Sequence, residues 1–229
     1  MLAILSDIHA NLAALEAVVA DAREKGCNRF ISLGDVVGYG PNPAECIELL
    51  CSIDAVNILG NHDSYIALDE SCPRSRIVSK IIDYQRTLLL PEHINWLKKS
   101  IPLLREKSFL FLHGGPDDPK DQYIYSISQN MIPEGVDWLF SGHTHVQSIV
   151  DFNGRGYCNP GSVGQPRDGD YRAAYATFDG HEIKLHRVDY NISQTVFAMK
   201  EAGFDAFCYE NLYHGTQIGG RIDRIRVIR

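Results

Sequence analysis

The chain opens with a short apolar run, Leu2 to Leu5, turns polar from Ser6 to Asn11, and then returns to apolar residues at Leu12, Leu15, Val18, Val19 and Ala22. Returns at intervals of three and four mark one face of a helix, with Asn11 suited to cap its start and Gly26 to end it. Arg29 to Leu33 reads as the next strand, Asn42-Pro43 opens a second helix running through Ile53, and Val56 to Leu59 forms a third strand. The first sixty residues therefore predict β-α-β-α-β. That order favours a parallel sheet, in which ligands collect beyond the carboxyl ends of the strands.

Ser64 to Ser100 reads as largely helical, with Pro91 placed to begin a helix carrying Ile94, Trp96 and Leu97. It is expected to form a cap or lateral insert over about residues 64–100. Ser108 to Leu112 and Asp137 to Phe140 are further strands. Two turn signals follow, Asn153-Gly154 and Asp179-Gly180, beside runs of strand composition such as Val146 to Phe152 and Ile183 to Val188, so this half is expected to be antiparallel. Between the hairpins, Asn159 to Asp170 is too rich in Gly and Pro for regular structure. The basic run Gly220 to Arg229 alternates Arg with Ile and Val and reads as an edge strand or terminal helix rather than a nucleic-acid arm.

A chain of 229 residues is long enough to bury a sizeable core, and one domain over residues 1–229 is expected. The formal net charge of −7 argues against a standing nucleic-acid partner. No apolar run reaches the roughly 20 residues needed to span a bilayer, and the N-terminus enters a strand without a basic leader, so the expectation is a cytoplasmic protein with no membrane partner. The six cysteines lack paired Cys-x-x-Cys spacing and the density of a disulfide-stapled domain, and most are expected to be buried free thiols.

The chemistry lies in five polar clusters, each directly after a strand-like run: Asp7-Ile8-His9, Gly34-Asp35, Gly60-Asn61-His62-Asp63, His113-Gly114-Gly115 and Gly142-His143-Thr144-His145. Taken singly, Asp7, Gly34-Asp35 and Gly60-Asn61 are explained by capping or turn geometry. Taken together they are not, because turn chemistry has no use for His9, His113, His143 and His145 at matching strand ends. Hard oxygen and borderline nitrogen donors suit Mn, Fe, Zn, Co or Ni better than Ca or a thiolate-bound zinc. Two sites are implied, one from Asp7, His9, Asp35 and His145, the other from Asp35, Asn61, His113 and His143, with Asp35 shared. Two cations roughly 3.5–4 Å apart can share and acidify a hydroxide while stabilising phosphoryl charge.

In their order and content these clusters resemble the motifs of the calcineurin-like metallophosphoesterases. Ser6 to Asn11, Gly34 to Pro43 and Asn159 to Gly169 are more specifically similar to small prokaryotic members. The resemblance implies a four-layer αββα sandwich, an α+β fold of two mixed sheets flanked by helices, with two divalent metal ions, Mn foremost, at one sheet edge. It also implies in-line attack of a metal-bridging hydroxide on a small phosphomonoester, phosphodiester or nucleotide polyphosphate. His62 is then the proton donor to the leaving group, oriented by Asp63; its other readings are a structural histidine or an additional ligand.

Asn11, Tyr39, Asn42, Arg167 and Asp168, in loops beside the motifs, are the substrate-binding candidates. Arg167 either clamps a phosphate oxygen or pairs with Asp168 or Asp170 within its loop. Gly38-Tyr39-Gly40 lacks the Lys-Ser/Thr that would make it a P-loop. Protein serine/threonine phosphatases of the superfamily carry Asp-Arg-Gly after the Gly-Asp motif and Glu after Asn-His. Val36 to Gly40 and Asp63 stand there instead, which argues against protein phosphatase activity. The 229 residues also leave little room for the DNA-end domains of the family's larger nucleases. The alternative to an enzyme is a scaffold of the same fold that binds a protein partner, which would be marked by loss of ligands; no ligand is missing here.

Overall fold

The computed structural model describes residues 1–72 and 75–228. Pro73 and Arg74 of the expected helical insert, and Arg229 of the basic tail, lie outside the described residues. Period-two alternation in the strands decides which layer each residue joins. In β1 (Leu2–Leu5) Ala3 and Leu5 face a helical layer, whereas Leu2 and Ile4 face a second sheet. The helical layer begins with α1 (Leu12–Glu24), which buries Ala14, Leu15, Val18, Val19 and Ala22; the Asn11 carboxamide oxygen accepts the Ala14 N–H at 3.3 Å, and Gly26 ends it at φ +84°. β2 (Arg29–Ser32), α2 (Pro43–Ser52) and β3 (Val56–Asn57) complete the β-α-β-α-β start, with β1, β2 and β3 parallel.

β3 is shorter than expected because the chain leaves the sheet early. Ile58 bridges to Ile101, and the Leu59 N–H donates to the Ile101 carbonyl, which swings Gly60 and Asn61 towards the sheet edge. α3 (Asn61–Ala67), α4 (Arg76–Leu88) and α5 (Pro91–Lys98) account for most of the expected helical insert. They extend the helical layer rather than standing apart from it, since Val78, Ile82, Leu89 and Leu97 share a buried cluster with α1 and α2.

The second sheet has the order β4 (Leu104–Glu106), β5 (Phe109–Phe111), β7 (Trp138–Phe140), β9 (Gly156–Asn159), β8 (Ser148–Asp151). Its centre is parallel: β5, β7 and β9 run together, and antiparallel pairing is confined to the edges. The antiparallel expectation for this half missed that centre because the crossover from β5 to β7 has no helix. It contains only β6 (Ser126–Ile127) and a 3₁₀ turn at Gln129–Met131, and neither leaves helical periodicity in the sequence. Leu110, Leu112, Leu139 and Tyr157 on the outer side of this sheet are covered by that segment through Ile124, Ile127, Ile132 and Val136.

The first sheet closes with the hairpin of β10 (Ala173–Phe178) and β11 (Ile183–Val188), β10 lying antiparallel to β1. Between the sheets Ile4, Ile31, Leu33, Phe111, Phe140 and Phe178 form the sandwich core, with Phe111 and Phe140 stacked at 4.6 Å. Each contributes roughly 1.5–3 kcal/mol by burial. α6 (Ile192–Glu201) and a tail ending in β12 (Arg226–Val227), paired parallel to β6, complete the chain. All six cysteines are free; Cys27, Cys46 and Cys158 are buried, Cys51 is exposed and the other two are half-buried, fewer buried thiols than expected. Among the described residues no helix is long and apolar enough to cross a membrane.

Candidate metal centre

The parallel strands of both sheets end at one edge, and the residues just beyond those ends leave regular conformation together. Asp7, His9, Asp35, His143 and His145, five of the seven candidate ligands, have φ between +49° and +65°. Left-handed backbone at a non-glycine residue costs roughly 1–2 kcal/mol, so a dense mesh of bonds has to hold it. The N–H groups of Asp7, His9 and Ala10 donate to the carbonyls of Gly34, Asp35 and Val36, and that of Gly142 donates to His113. Two close approaches demand glycine: a Cβ at Gly142 would collide with Ser6 Oγ and Asp7 Oδ2, and one at Gly60 with the Asp35 carboxylate.

The side chains converge in overlapping trios whose inner atoms lie within 4.8 Å of one another: Asp7, His9 and His145; His9, Asp35 and His62; Asp35, His113 and His143. His9 Nε2 lies 3.1 Å from His145 Nε2, and Asp7 Oδ1 lies 3.2 Å from the latter. On the other side His113 Nε2 is 3.0 Å from His143 Nδ1 and 3.2 Å from Asn61 Oδ1. Asp35 Oδ2 faces both groups, 3.8 Å from His9 Nε2 and 3.4 Å from His113 Nε2. The outer oxygens are occupied: Asp35 Oδ1 accepts the His62 N–H, and Asp7 Oδ2 accepts from Ser6 Oγ and the His143 N–H.

This arrangement suits divalent cations on its own chemistry. The Nδ1–H groups of His9, His113 and His145 donate to the carbonyls of Val37, Leu33 and Gln165, which fixes the tautomer and turns an Nε2 lone pair inward. Acceptors therefore face acceptors at hydrogen-bond distance, and only a proton or a metal ion between them relieves the repulsion. Asp7 Oδ1 is buried with no hydrogen-bond partner among the described residues. Burial works against His113 carrying a proton, yet the Asp35 carboxylate overrides it and holds the imidazole up at about 9; burial drives His9 and His143 well below the usual histidine range.

The profile of the Calcineurin-like phosphoesterase superfamily domain matches residues 1–182. The chain belongs to that superfamily. Among proteins of known sequence it is 32% identical to the uncharacterized protein MJ0912 of Methanocaldococcus jannaschii, over 94% of this chain and 98% of that one. It is 29% identical to the phosphodiesterase YfcE of Escherichia coli over 79% of this chain and 88% of that one. Among solved structures, a metallophosphoesterase from Sphaerobacter thermophilus superposes with a TM-score of 0.82 at 34% identity, covering 93% of this chain and 99% of its own.

Within this phosphoesterase frame the remaining candidates divide. His62, a member of the middle trio, is buried 4.8 Å from the His9 ring and 4.9 Å from the Tyr39 ring between centroids, and its Nδ1 has no hydrogen-bond partner among the described residues. Burial pushes its pKa down to about 4. Asp63 does not bond to His62. Its carboxylate instead accepts from the N–H groups of Asp35, Val36, Val37 and Gly60 and from Asn57 Nδ2, so it shapes the Asp35 loop. Burial, with the Asp35 charge nearby, raises it to about 6 against the pull of those donors.

Tyr39 packs edge-on against His9 at 4.7 Å, and the Arg167 guanidinium lies over the Tyr39 ring at 5.5 Å. Arg167 is 7% exposed, its Nε and Nη2 donate to Gln165 Oε1, and among the described residues no carboxylate is within ion-pairing distance of it. Neither expected loop pairing forms: Asp168 is bound by Arg187 and the Gln147 N–H, and Asp170 by Arg172. Asn11 is consumed by the α1 cap, the Gly164 carbonyl, Tyr190 and Thr195, and Asn42 Nδ2 donates to Glu45.

Gln85 escaped the sequence reading. It is fully buried; its Oε1 accepts the Gly38 N–H and its Nε2 donates to the Gly40 carbonyl, both at 2.7 Å, so α4 fixes the loop carrying Tyr39. The available signal was an amide on the buried face of α4 defined by Val78, Ile81 and Ile82.

Proposed function

We propose that the protein hydrolyses a small phosphate ester, most simply a phosphodiester, at a dinuclear centre held by Asp7, His9, Asp35, Asn61, His113, His143 and His145. The observation that carries this reading is the set of inward nitrogens and oxygens described above, most of them acceptors facing acceptors, which repel one another unless protons or cations lie between them. Bound divalent cations, Mn first and Fe, Zn, Ni or Co as alternatives, would supply an acidified water and positive charge for the phosphoryl oxygens. Asp35, with one oxygen towards both groups, is the shared ligand.

The remaining work falls to residues of the chain itself. Arg167 is a buried cation without a carboxylate partner among the described residues, a state that an incoming phosphate would relieve. Tyr39 shields His9 and backs the guanidinium. His62 donates the proton to the leaving oxygen; an approaching anion opposes the effect of burial, so its proton belongs to the substrate complex rather than to the free enzyme. Asp63 serves this chemistry indirectly, by fixing the loop that presents Asp35. The Escherichia coli relative YfcE is itself a phosphodiesterase. The reading includes a cytoplasmic setting and, given the net charge of −7, a small molecule rather than nucleic acid as partner.

The test is a Mn-reconstituted, metal-analysed protein assayed on p-nitrophenyl phosphate, bis(p-nitrophenyl) phosphate and dinucleoside polyphosphates. Turnover of at least one, abolished by chelation and restored by metal, is expected. Inertness towards all three at full metal occupancy would overturn the proposal.

A further inference from the structure

A cleft of about 550 Å³ opens beside the candidate metal residues, and a third of its lining residues come from outside the matched family profile. Tyr39, Tyr125 and Arg167 line the inner side; Gln217, Ile218 and Arg221 line the outer side. The profile ends at residue 182, so the outer wall is not part of what the chain shares with the superfamily at large. Its size lies within the roughly 300–1,000 Å³ range of small-molecule sites.

The tail is fixed in this position by one buried carboxylate. Asp223 accepts from Gln217 Nε2 at 2.5 Å and from the Tyr125 hydroxyl at 3.3 Å, pairs with Arg221 Nε at 3.0 Å, and donates its own N–H to the Arg167 carbonyl at 2.7 Å. Gly169 N–H donates to the Gly215 carbonyl, tying the tail to the Arg167 loop a second time. Three segments distant in sequence are thereby held as walls of one preformed cavity. Its inner side is continuous with the metal centre, because Tyr39 touches both His9 and Arg167, and Tyr123 stacks on His143 at 3.7 Å.

The chemistry of the lining selects an occupant. Aromatic and aliphatic faces offer stacking to a flat ring, the Gln217 amide oxygen can accept from a polar ring edge, and the Arg167 guanidinium, over Tyr39 on the inner side, lies where a linked phosphate would approach. An alkyl phosphate would leave these faces against water. We propose that the cleft binds the nucleoside portion of the substrate, so that the chain acts on nucleoside phosphoesters in preference to alkyl ones; this rests on the phosphoesterase reading above.

The test separates binding from turnover. Calorimetry on the Mn-loaded protein compares adenosine 5′-phosphate, phenyl phosphate and ribose 5-phosphate, and the nucleotide is expected to bind roughly tenfold or more tighter than ribose 5-phosphate, as stacking of a base on aromatic side chains provides. Tyr125→Ala should reduce that ratio at least about threefold. Ile218→Glu, on the half-buried tail, should do the same by setting a charge against the ring and serves if the tyrosine variant fails to fold. Equal affinity for the nucleotide and ribose 5-phosphate, or a ratio untouched in a folded variant, overturns the proposal. Phenyl phosphate binding as tightly as the nucleotide overturns its nucleoside part.

Hydrolysis of methyl p-nitrophenyl phosphate, measured alongside, keeps the two readings distinct. Turnover without nucleotide preference removes the cleft assignment alone. Nucleotide preference without turnover supports the cleft and removes the catalytic reading alone.

Discussion

The two ends of this sandwich are built on opposite principles. At the carboxyl ends of the parallel strands the chain buries Asp7, Asp35 and four histidines and accepts left-handed backbone at five of those positions. At the other end lie the β10–β11 hairpin and the start of β2, where Arg29 joins Glu106 across the two sheets in an exposed bidentate pair. Groups at the second end could be exchanged with little consequence, because water satisfies them as well as the protein does. Groups at the first end satisfy one another only if something further is supplied, and that asymmetry supports the proposed position of the site without reference to any relative.

The sharpest way to break the contrast is to disable Asp35, the proposed shared ligand. Asp35→Asn is expected to lower phosphodiesterase kcat/KM on the order of a thousandfold. The same variant should lose the rise in melting temperature that Mn gives the parent over the chelated protein, a linkage worth about 2.7 kcal/mol at a hundredfold excess of metal over its Kd. Calorimetric scans with and without Mn check the second point independently of any substrate. An undiminished Mn shift would remove Asp35 from the centre.

His62→Ala separates chemistry from metal binding. Bound metal, measured by elemental analysis, should be unchanged, while kcat falls about 10²–10⁴-fold for alkoxide leaving groups and much less for p-nitrophenolate, which needs little protonation. Equal losses for both classes would take the proton-donor role away.

Gln85→Leu probes the support behind the site. It strands the Gly38 N–H and the Gly40 carbonyl in the interior, and a loss of roughly 2–4 kcal/mol in urea unfolding is expected. KM should rise more than kcat falls, since the loop carrying Tyr39 loses its anchor.

Arg29→Met completes the series at the opposite end, with unchanged activity and a stability loss below about 1 kcal/mol. Its bond with Arg29 holds the Glu106 carboxyl below the usual value of 4.5, so the pair stabilises above that value and the contribution fades as pH falls through the lowered pKa. Parent and variant should therefore converge in acid, in melts taken between pH 7 and 3.

Much of this was legible in the chain because strand-end motifs are local. Asp7-x-His9 or Gly142-His143-x-His145 announces both its residue types and its position after an apolar run, and α1 announces itself through Leu15, Val18, Val19 and Ala22. What stayed hidden depends on which way a loop side chain turns. Asn11 and Asp168 sit beside the motifs, yet one is satisfied by the Ala14 N–H, Gly164, Tyr190 and Thr195 and the other by Arg187 from β11, a strand read only as half a hairpin. Asp63 follows His62 in sequence but bonds to backbone 26 to 28 residues earlier. The parallel centre of the second sheet was hidden for a related reason, since its crossover carries no periodic signal.

The Asn11 carboxamide has a consequence for how the molecule comes into being. It accepts from Thr195 and donates to Tyr190 and Gly164, and its neighbour strand β1 pairs with β10, so the first dozen residues are completed by partners 150 to 185 positions later. During synthesis the amino-terminal βαβ unit must wait with one edge open until nearly the whole chain has left the ribosome. Contacts of such long sequence separation make assembly slow and leave the waiting edge vulnerable to association with other nascent chains, so protection by chaperones matters most before the final helix docks.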